Sequence, residues 1–352
     1  MNLACPFMKR IIKIALVVVI PFLFSCKGKQ MRIEGEEEVS CEIKIDKYEH
    51  RTIDLSSFIA NVDTVSLFMD DYLIAPIKDV AMNDSIIYIL DNMKSISAFS
   101  TFTGNILGYW KKEGLGSGEY IAPQAIVFDN EMLYVLDLHG QCVLSYDYDF
   151  NFNKKIAIGF PAMDFIAVSD GFLFYNLNPM GDFKEIVHTD MDGNVLNSFS
   201  LQNTENDILL SERIFEKDDK GDVYIIPPMS NKIFMWDNDA VKESFILNFG
   251  NKRPKADKNS EILEEAKEVV IRSFVTSKYV ITLFESNKKV YTNVFDREKN
   301  TSQTGLVNTN MNTAFFPSSS YRNSLVGIYE QYIDVEESMD YNCLFVRYNF
   351  KE

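Results

Sequence analysis

A glycine-rich loop at residues 114–120 is the first segment of the sequence whose residue types could do chemistry. It reads Gly-Leu-Gly-Ser-Gly-Glu-Tyr. Such loops can hold phosphate groups, but no Gly-Lys-Ser/Thr follows, and Glu119 stands where a dinucleotide-binding loop needs its third glycine. A carboxylate there would also repel phosphate. The loop is therefore interpreted as a tight structural crossing, and Glu119 and Tyr120 become ligand-binding candidates if it faces a cavity.

Metal-binding and nucleophile motifs do not emerge from the spacing of the remaining residues. Residues 190–193, Asp-Met-Asp-Gly, have oxygen ligands of the kind calcium prefers but lack the further acids and the terminal Glu of an EF-hand, so a hairpin turn is favoured. The three histidines, His50, His139 and His188, show neither metal spacing nor a Ser/His/Asp order. We therefore predict no catalytic residue, no metal site and no cofactor.

The composition indicates a large globular protein with an acidic surface. The chain has 352 residues, of which 46% are hydrophobic and 24% charged, enough to bury a sizeable core. Its 35 basic residues face 51 acidic ones, which gives a net charge of -16. Because this charge repels polyphosphate backbones, nucleic acids and anionic lipid surfaces are disfavoured as partners.

Residues 1–25 are predicted to be a lipoprotein signal peptide. Residues 8–10 read Met-Lys-Arg, and an apolar stretch interrupted only by Pro21 runs from residue 14 to residue 24. This stretch is too short for a membrane-spanning helix. It ends in Leu-Phe-Ser-Cys at residues 23–26, which resembles the bacterial lipobox. The sequence therefore predicts lipidation of Cys26, with palmitate among the acyl chains, and a location in the cell envelope, on the outer membrane, facing the periplasm or the surface.

The segment that follows Cys26 is predicted to be a solvated tether. Residues 26–52 include Glu34 and a run of three glutamates at 36–38, which is typical of an exposed acidic linker. The folded domain is then expected to span residues 53–352.

A repeated apolar phrase organises this domain. It is rich in Ile, Val, Leu and Tyr, and its six copies end at Asp91, Asp137, Asn176, Pro227, Glu285 and Glu330. A second apolar run trails each copy, as at residues 143–147, and turn residues and a further strand follow. Several short strands per 40–50 residues are typical of a propeller blade. The sequence predicts an all-β, six-bladed β-propeller with four-stranded blades, whereas a β-sandwich would not explain six ordered copies.

Two further elements follow from this interpretation. The sixth copy lacks an outer strand, and Val62–Phe68, upstream of the first copy, has a strand-like pattern. We expect this segment to complete the last blade, since closure removes an exposed edge. Residues 259–274 carry apolar residues at helical spacing with glutamates between them, which predicts a helical insertion between blades four and five. It would pack on the rim or form a lid.

Several motifs resemble those of a known family. The loop at residues 114–120, the phrases Tyr-Ile-Leu-Asp (88–91) and Tyr-Val-Leu-Asp (134–137), and the lipobox are similar to those of the six-bladed β-propeller lipoproteins of Gram-negative gut bacteria, which are related to NHL-repeat propellers. That family commonly has Gly-x-Gly-Pro-Gly-Glu-Tyr in the loop, so Ser117 departs from it. The resemblance covers residues 53–350 and implies a propeller lipoprotein, but it implies no particular function.

The predicted propeller places the start of each inner strand at the mouth of the central channel. Polar residues at these positions are ligand-binding candidates, namely Lys78, Gln124, Asp164, Arg213, Arg272 and Ser319. The two arginines could bind a ligand carboxylate such as that of a uronic acid. Equally, they could pair with acids of the protein in a buried ring.

Two functions fit these expectations. The first is a monomeric binding or scaffold module, attached to the membrane through Cys26, for a glycan, peptide or protein partner. The second is a metal-dependent lactonase, lyase or hydrolase with calcium or another divalent ion in the channel, which would need three or four oxygen or nitrogen ligands from different blades. The lack of catalytic motifs favours the binding module.

Overall fold

The computed structural model describes residues 40–68, 74–179, 181–201, 213–228, 230–250, 268–308, 315–332 and 341–351. Within these ranges the chain forms six β-sheets arranged as the blades of a propeller. The predicted all-β, six-bladed fold is confirmed. No helix among the described residues has both the length and the apolar composition needed to cross a membrane. The predicted signal peptide, Cys26 and the glutamate run at 36–38 lie outside the described residues.

The strands follow one another in the order expected for blades that form successively along the chain. Three N-terminal strands come first: β1 (Cys41–Lys44), β2 (Thr52–Asp54) and β3 (Ile59–Leu67), with a 3₁₀ turn at Leu55–Ser57. Blade one comprises β4 (Ile77–Met82), β5 (Ile86–Asp91), β6 (Ile96–Ser100) and β7 (Ile106–Trp110). Blade two comprises β8 (Pro123–Asp129), β9 (Met132–Asp137), β10 (Cys142–Tyr146) and β11 (Phe152–Ala157). Blade three comprises β12 (Ala162–Val168), β13 (Gly171–Asn176), β14 (Ile186–Asp190) and β15 (Val195–Phe199).

The other three blades each include one N-terminal strand. Blade four comprises β16 (Phe215–Lys217), β17 (Val223–Ile225), β18 (Lys232–Trp236) and β19 (Val241–Asn248), with β1 added parallel to β19. Blade five comprises β20 (Glu268–Val275), β21 (Tyr279–Ser286), β22 (Lys289–Asp296) and β23 (Thr301–Asn308), with β2 added parallel to β23. Blade six comprises β24 (Ser319–Ser320), β25 (Ser324–Tyr332), β26 (Tyr341–Phe350) and β3.

The predicted closure of the ring is confirmed. Strand β3 pairs antiparallel with β26, and the register places Val62 opposite Tyr348 and Val65 opposite Phe345. The segment upstream of the first blade thus supplies the outer strand of the last one, which covers the edge that β26 would otherwise expose.

Two predictions about the chain outside the repeat are wrong over the described residues. The tether was expected to extend to residue 52, but Ile43, Ile45 and Tyr48 are buried against blades four and five. The helix expected at 259–274 is a strand from Glu268 onward. Its β-branched residues Val269, Val270 and Ile271 favour extended backbone, which outweighs the helical spacing. Residues 259–267 lie outside the described residues.

The core consists of apolar clusters between neighbouring blades. Tyr88 and Leu90 of blade one, for example, share a buried cluster with Val135 and Leu144 of blade two. Because each blade packs on both faces, its middle strands are apolar nearly throughout, which explains the repeated phrase of the sequence.

The propeller has two faces that differ in their connections. One face carries the turns between the first and second strands and between the third and fourth strands of each blade, such as residues 169–170 and 237–240. We call it the turn face. The crossing face carries the connections between blades, such as residues 111–122. On the turn face, the calcium-like segment 190–193 is a hairpin turn in which Asp190 Oδ1 accepts hydrogen bonds from the N–H groups of Asp192 and Asn194. The hairpin interpretation is confirmed.

Candidate functional site

The innermost strands of the blades surround the central channel, and four of them are irregular at the same place over the described residues. Their pairing shifts by one residue between Ile77 and Asp79, Pro123 and Ala125, Ala162 and Asp164, and Val270 and Arg272. A β-bulge changes the direction in which nearby side chains point. In these four strands the bulge lies beside polar side chains near the strand start, namely Lys78, Asp79, Gln124, Asp164 and Arg272, which is where the sequence predicted a binding site.

Arg213 crosses the channel from blade four to blade one. Its Nη2 donates hydrogen bonds to Asp79 Oδ1 at 2.9 Å and to the carbonyl oxygen of Val80 at 2.7 Å. Asp79 Oδ2 in turn accepts from the N–H of Ile126 in blade two at 2.7 Å. Although burial opposes the charge, the nearby carboxylates, Asp79 foremost, raise the pKa of Arg213 above its ordinary value. The side chain thus joins three blades and remains charged.

Asp164 is a buried carboxylate beside this pair. Its Oδ2 accepts hydrogen bonds from the N–H groups of Ile214 at 2.5 Å and Phe215 at 3.1 Å, and Oδ1 accepts from Phe165 N–H at 2.8 Å. Burial raises the pKa of Asp164 to about 6, although Arg213 and the backbone donors favour the charged form. Its contacts tie blade three to the start of blade four.

A second ion pair connects blades four, five and six. Arg272 Nη2 lies 3.8 Å from Glu216 Oε1, and the guanidinium stands over the ring of Phe274 at 5.3 Å. Glu216 Oε2 accepts hydrogen bonds from Ser320 N–H at 3.2 Å and from Ser320 Oγ. Burial raises the pKa of Glu216 and lowers that of Arg272. Each charge partly offsets the other's cost of leaving water.

The channel residues predicted from the sequence are therefore engaged largely with the protein itself. Arg213 and Arg272 pair with acids, as one of the two alternatives proposed. Lys78 Nζ donates to the carbonyl oxygen of Pro123 at 2.9 Å, and Gln124 and Ser319 are buried. Asp79 and Glu216, the acids that complete the network, were missed. The bulges set the register at this point, and a sequence pattern does not reveal a bulge.

The glycine-rich loop does not contribute to the channel. A Cβ at Gly118, where φ is +74°, would lie 2.7 Å from Phe152 of the outer strand β11, so the loop runs along the rim. Tyr120 is fully buried and donates to the carbonyl oxygen of Lys94 at 3.0 Å, and burial raises its pKa to about 12. Its prediction as a ligand-binding residue is wrong because it packs in the core between blades one and two. Glu119 is exposed and accepts from Gly116 N–H within the loop.

A cleft of about 370 Å³ opens on the turn face between blades two, three and four. Its polar lining comprises Asp129, Asn130, Lys217, Asp222, Asp237 and Asn238, and Met235 and Trp236 supply apolar surface. Lys217 Nζ lies 3.3 Å from Asp129 Oδ1 and donates to the carbonyl oxygen of Ala167 at 3.2 Å. Of the three lining carboxylates, Asp129 pairs with Lys217 and Asp237 pairs with Lys242 Nζ at 2.7 Å, so the lining is polar and largely charge-balanced. Sequence reasoning missed it because its residues come from turns of three separate blades.

A histidine lies between two aspartates beside this cleft. His188 on β14 is fully buried, and its ring meets the edge of Trp236 at 4.9 Å between centroids. Its Nε2 lies 3.2 Å from Asp170 Oδ1, and its Nδ1 lies 3.5 Å from Asp239 Oδ1. One ligand atom from each residue lies within 4.8 Å of the others, so the three could hold a metal ion. The positions 170, 188 and 239 form no recognisable motif in the sequence.

The fold and these sites define the chain as a β-propeller protein with a charged channel and a polar cleft on one face. Residues 40–342 match the family described as "Domain of unknown function (DUF4934)", and the chain belongs to that family. The resemblance to propeller lipoproteins stated above is thus supported for the fold, whereas the lipoprotein and NHL-like character stay predictions. No curated protein matches the chain.

Two solved structures of Bacteroides proteins have a similar fold. A candidate exported protein of Bacteroides fragilis is 16% identical with a TM-score of 0.68, and the alignment covers 89% of this chain and 100% of that one. A member of the DUF4221 family from Bacteroides vulgatus is 8% identical with a TM-score of 0.53, covering 84% of this chain and 97% of the other. At these identities the likeness shows the fold alone.

Proposed function

We propose that the protein is a lipid-anchored binding module of the cell envelope that captures a neutral glycan in the cleft on the turn face. The observation that carries this proposal is the cleft itself, in which hydrogen-bonding side chains surround the partly exposed Trp236. The sequence features at Cys26 and the similarity to a candidate exported protein support the location.

The chemistry of the lining favours a polyhydroxylated ligand. Carboxylates accept hydrogen bonds from hydroxyl groups, and the amides of Asn130 and Asn238 both donate and accept them. An indole offers a flat apolar surface for the C–H face of a sugar ring. The lysine that lines the cleft, Lys217, already contacts Asp129, so the described lining offers no separate basic group for a ligand carboxylate, and a neutral glycan fits better than the uronic acid considered from the sequence. The channel is the weaker candidate because Arg213 already bonds to Asp79 and Arg272 already forms an ion pair with Glu216.

Titration with neutral oligosaccharides tests the binding proposal. We expect wild-type protein to bind at least one of a panel of gluco-, manno- and xylo-oligosaccharides by calorimetry. Asp222 is exposed, and changing it to Ala removes an acceptor without disturbing the core. The variants Asp222→Ala and Asn130→Ala should each weaken binding by about tenfold, which corresponds to the loss of about one hydrogen bond to a charged or polar group.

Asp192→Ala is the matched control, because Asp192 lies in a turn of blade three outside the cleft and its side chain is 79% exposed. It should bind like the wild type. Failure of the whole panel to bind, or equal binding by all variants, would contradict the assignment of the cleft to glycans. Binding of a peptide panel instead would move the proposal to a peptide or protein partner.

Lipid attachment is tested independently of the ligand. In bacteria that process lipoproteins, the full chain should incorporate an alkyne-labelled fatty acid and sediment with membranes. Cys26→Ala should abolish both, because the thiol is the attachment point, whereas Cys5→Ala should leave both unchanged. Labelling that persists in Cys26→Ala would show that the lipid is attached elsewhere or that the anchor has another origin.

A further inference from the structure

We propose that Asp170, His188 and Asp239 bind a divalent transition-metal ion, of the zinc or manganese class, at the boundary between blades three and four. The residues come from the turn before β13, from β14 and from the turn before β19. The proposal is independent of glycan binding, since its three metal ligands are not among the residues that line the cleft.

The buried imidazole is the observation that points to a ligand. His188 has no solvent exposure, and its Nδ1 has no hydrogen-bond partner among the described residues. A buried polar atom without a partner is costly. Asp239 Oδ1 stands 3.5 Å from this nitrogen, too far for a good hydrogen bond but close to the separation of two ligands on one metal ion.

The spacing of the three groups fits a small ion. Nitrogen and oxygen ligands about 2.0–2.2 Å from a tetrahedral ion lie roughly 3.3–3.6 Å from each other. The 3.5 Å between His188 Nδ1 and Asp239 Oδ1 falls in this range, whereas Asp170 Oδ1 lies 3.2 Å from the other ring nitrogen, Nε2. One ligand atom from each of the three residues lies within 4.8 Å of the others. An ion bonds only one ring nitrogen, so one carboxylate must rotate toward it. Both aspartates are on exposed turns that allow such a rotation.

The donor set selects the class of metal. One imidazole and two carboxylates suit zinc or manganese, whereas calcium needs six or more oxygens and magnesium keeps most of its waters. Two carboxylates also neutralise the charge of a divalent ion. Asp170 and Asp239 have side chains 57% and 73% exposed, so the remaining coordination position opens to solvent. Trp236 packs against the imidazole and holds the orientation of the ring.

Metal titration of the chain without a polyhistidine tag tests the site. Zn²⁺ and Mn²⁺ are titrated by calorimetry, and Co²⁺ is added as a probe because its visible absorption reports four-coordinate geometry. We expect one ion per chain. Asp170→Asn and Asp239→Asn should each weaken binding by about tenfold or more. Asp192→Asn, an exposed turn aspartate of blade three, should not change it. Circular dichroism confirms that each variant is folded.

Three results would overturn the proposal. No binding of any of these ions up to millimolar concentration would show that the three side chains do not form a metal site. Binding that neither aspartate variant weakens would place the ion elsewhere on the chain. Weakening in only one variant would exclude the three-ligand site. None of these readouts depends on a glycan, so failure here is distinguishable from failure of the proposed function.

Discussion

Replacing Arg213 with methionine is expected to lower the free energy of unfolding by about 3–5 kcal/mol, because it leaves buried carboxylates without their countercharge. Asp79 would lose the guanidinium that reaches it across the channel. Asp164 and Glu216 would lose a neighbouring positive charge that now favours their ionised forms. The methionine side chain keeps most of the buried apolar volume, so the effect reports charge rather than a cavity.

Chemical denaturation of wild type and variants measures this effect. Arg322→Met is the matched control, since Arg322 pairs with Asp84 on the surface, where the two side chains are 65% and 57% exposed. Exposed pairs contribute about 0–1 kcal/mol. The double variant Arg213→Met, Asp79→Asn should recover part of the loss, because it removes the unpaired charge as well. Equal effects of Arg213→Met and Arg322→Met would show that the channel pair does not stabilise the fold.

Replacing Tyr48 with alanine is expected to cost about 3–5 kcal/mol of unfolding free energy, as is usual for a buried aromatic. The ring is fully buried and lies edge-on to Phe284 at 5.0 Å and to Tyr291 at 4.8 Å. Its hydroxyl donates a hydrogen bond to Glu268 Oε1 at 2.5 Å. Through these contacts, Tyr48 packs the segment between β1 and β2 against blade five.

Two further variants separate the contributions of the ring and the hydroxyl. Tyr48→Phe keeps the packing but leaves the Glu268 carboxylate without this donor, and it should cost about 1–3 kcal/mol. Tyr148→Ala, at a position 61% exposed, should change the unfolding midpoint little. If Tyr48→Ala had the same unfolding midpoint as Tyr148→Ala, residues 40–52 would not belong to the folded unit. The prediction that the tether extends to residue 52 would then be correct.

Much of the fold could be predicted because a propeller repeats one local pattern. The apolar phrase ending at Asp91 or Asp137 marks a strand that packs on both faces, and six such phrases indicate six blades. The spare strand at Val62–Phe68 could be assigned because a ring leaves only one place for it. By contrast, β1 has four residues and alternates Ile43 with charged neighbours, so it resembles a polar linker until its partner strand is known.

The sites could be predicted only in part, for a related reason. Inner-strand starts were correctly expected to carry polar side chains, but Arg213 and Asp79 are 134 residues apart and no local pattern links them. The same applies to the cleft and to the group around His188, which are assembled from turns of different blades. A turn aspartate such as Asp239 has the sequence pattern of an ordinary hairpin, and only the neighbouring blade shows what faces it.

The N-terminal strands have a consequence for the order of folding. Cys41 of β1 is paired with Phe245 of β19, and Leu67 of β3 is paired with Cys343 of β26. The strands that are synthesised first therefore pair with strands that are synthesised much later. Blades one to three contain only strands that are close in the chain, whereas blades four to six each require a strand from before the first blade. Long loop closure slows folding. During synthesis, β1, β2 and β3 must therefore wait for β19, β23 and β26 in turn, and the ring closes only when β26 has been made.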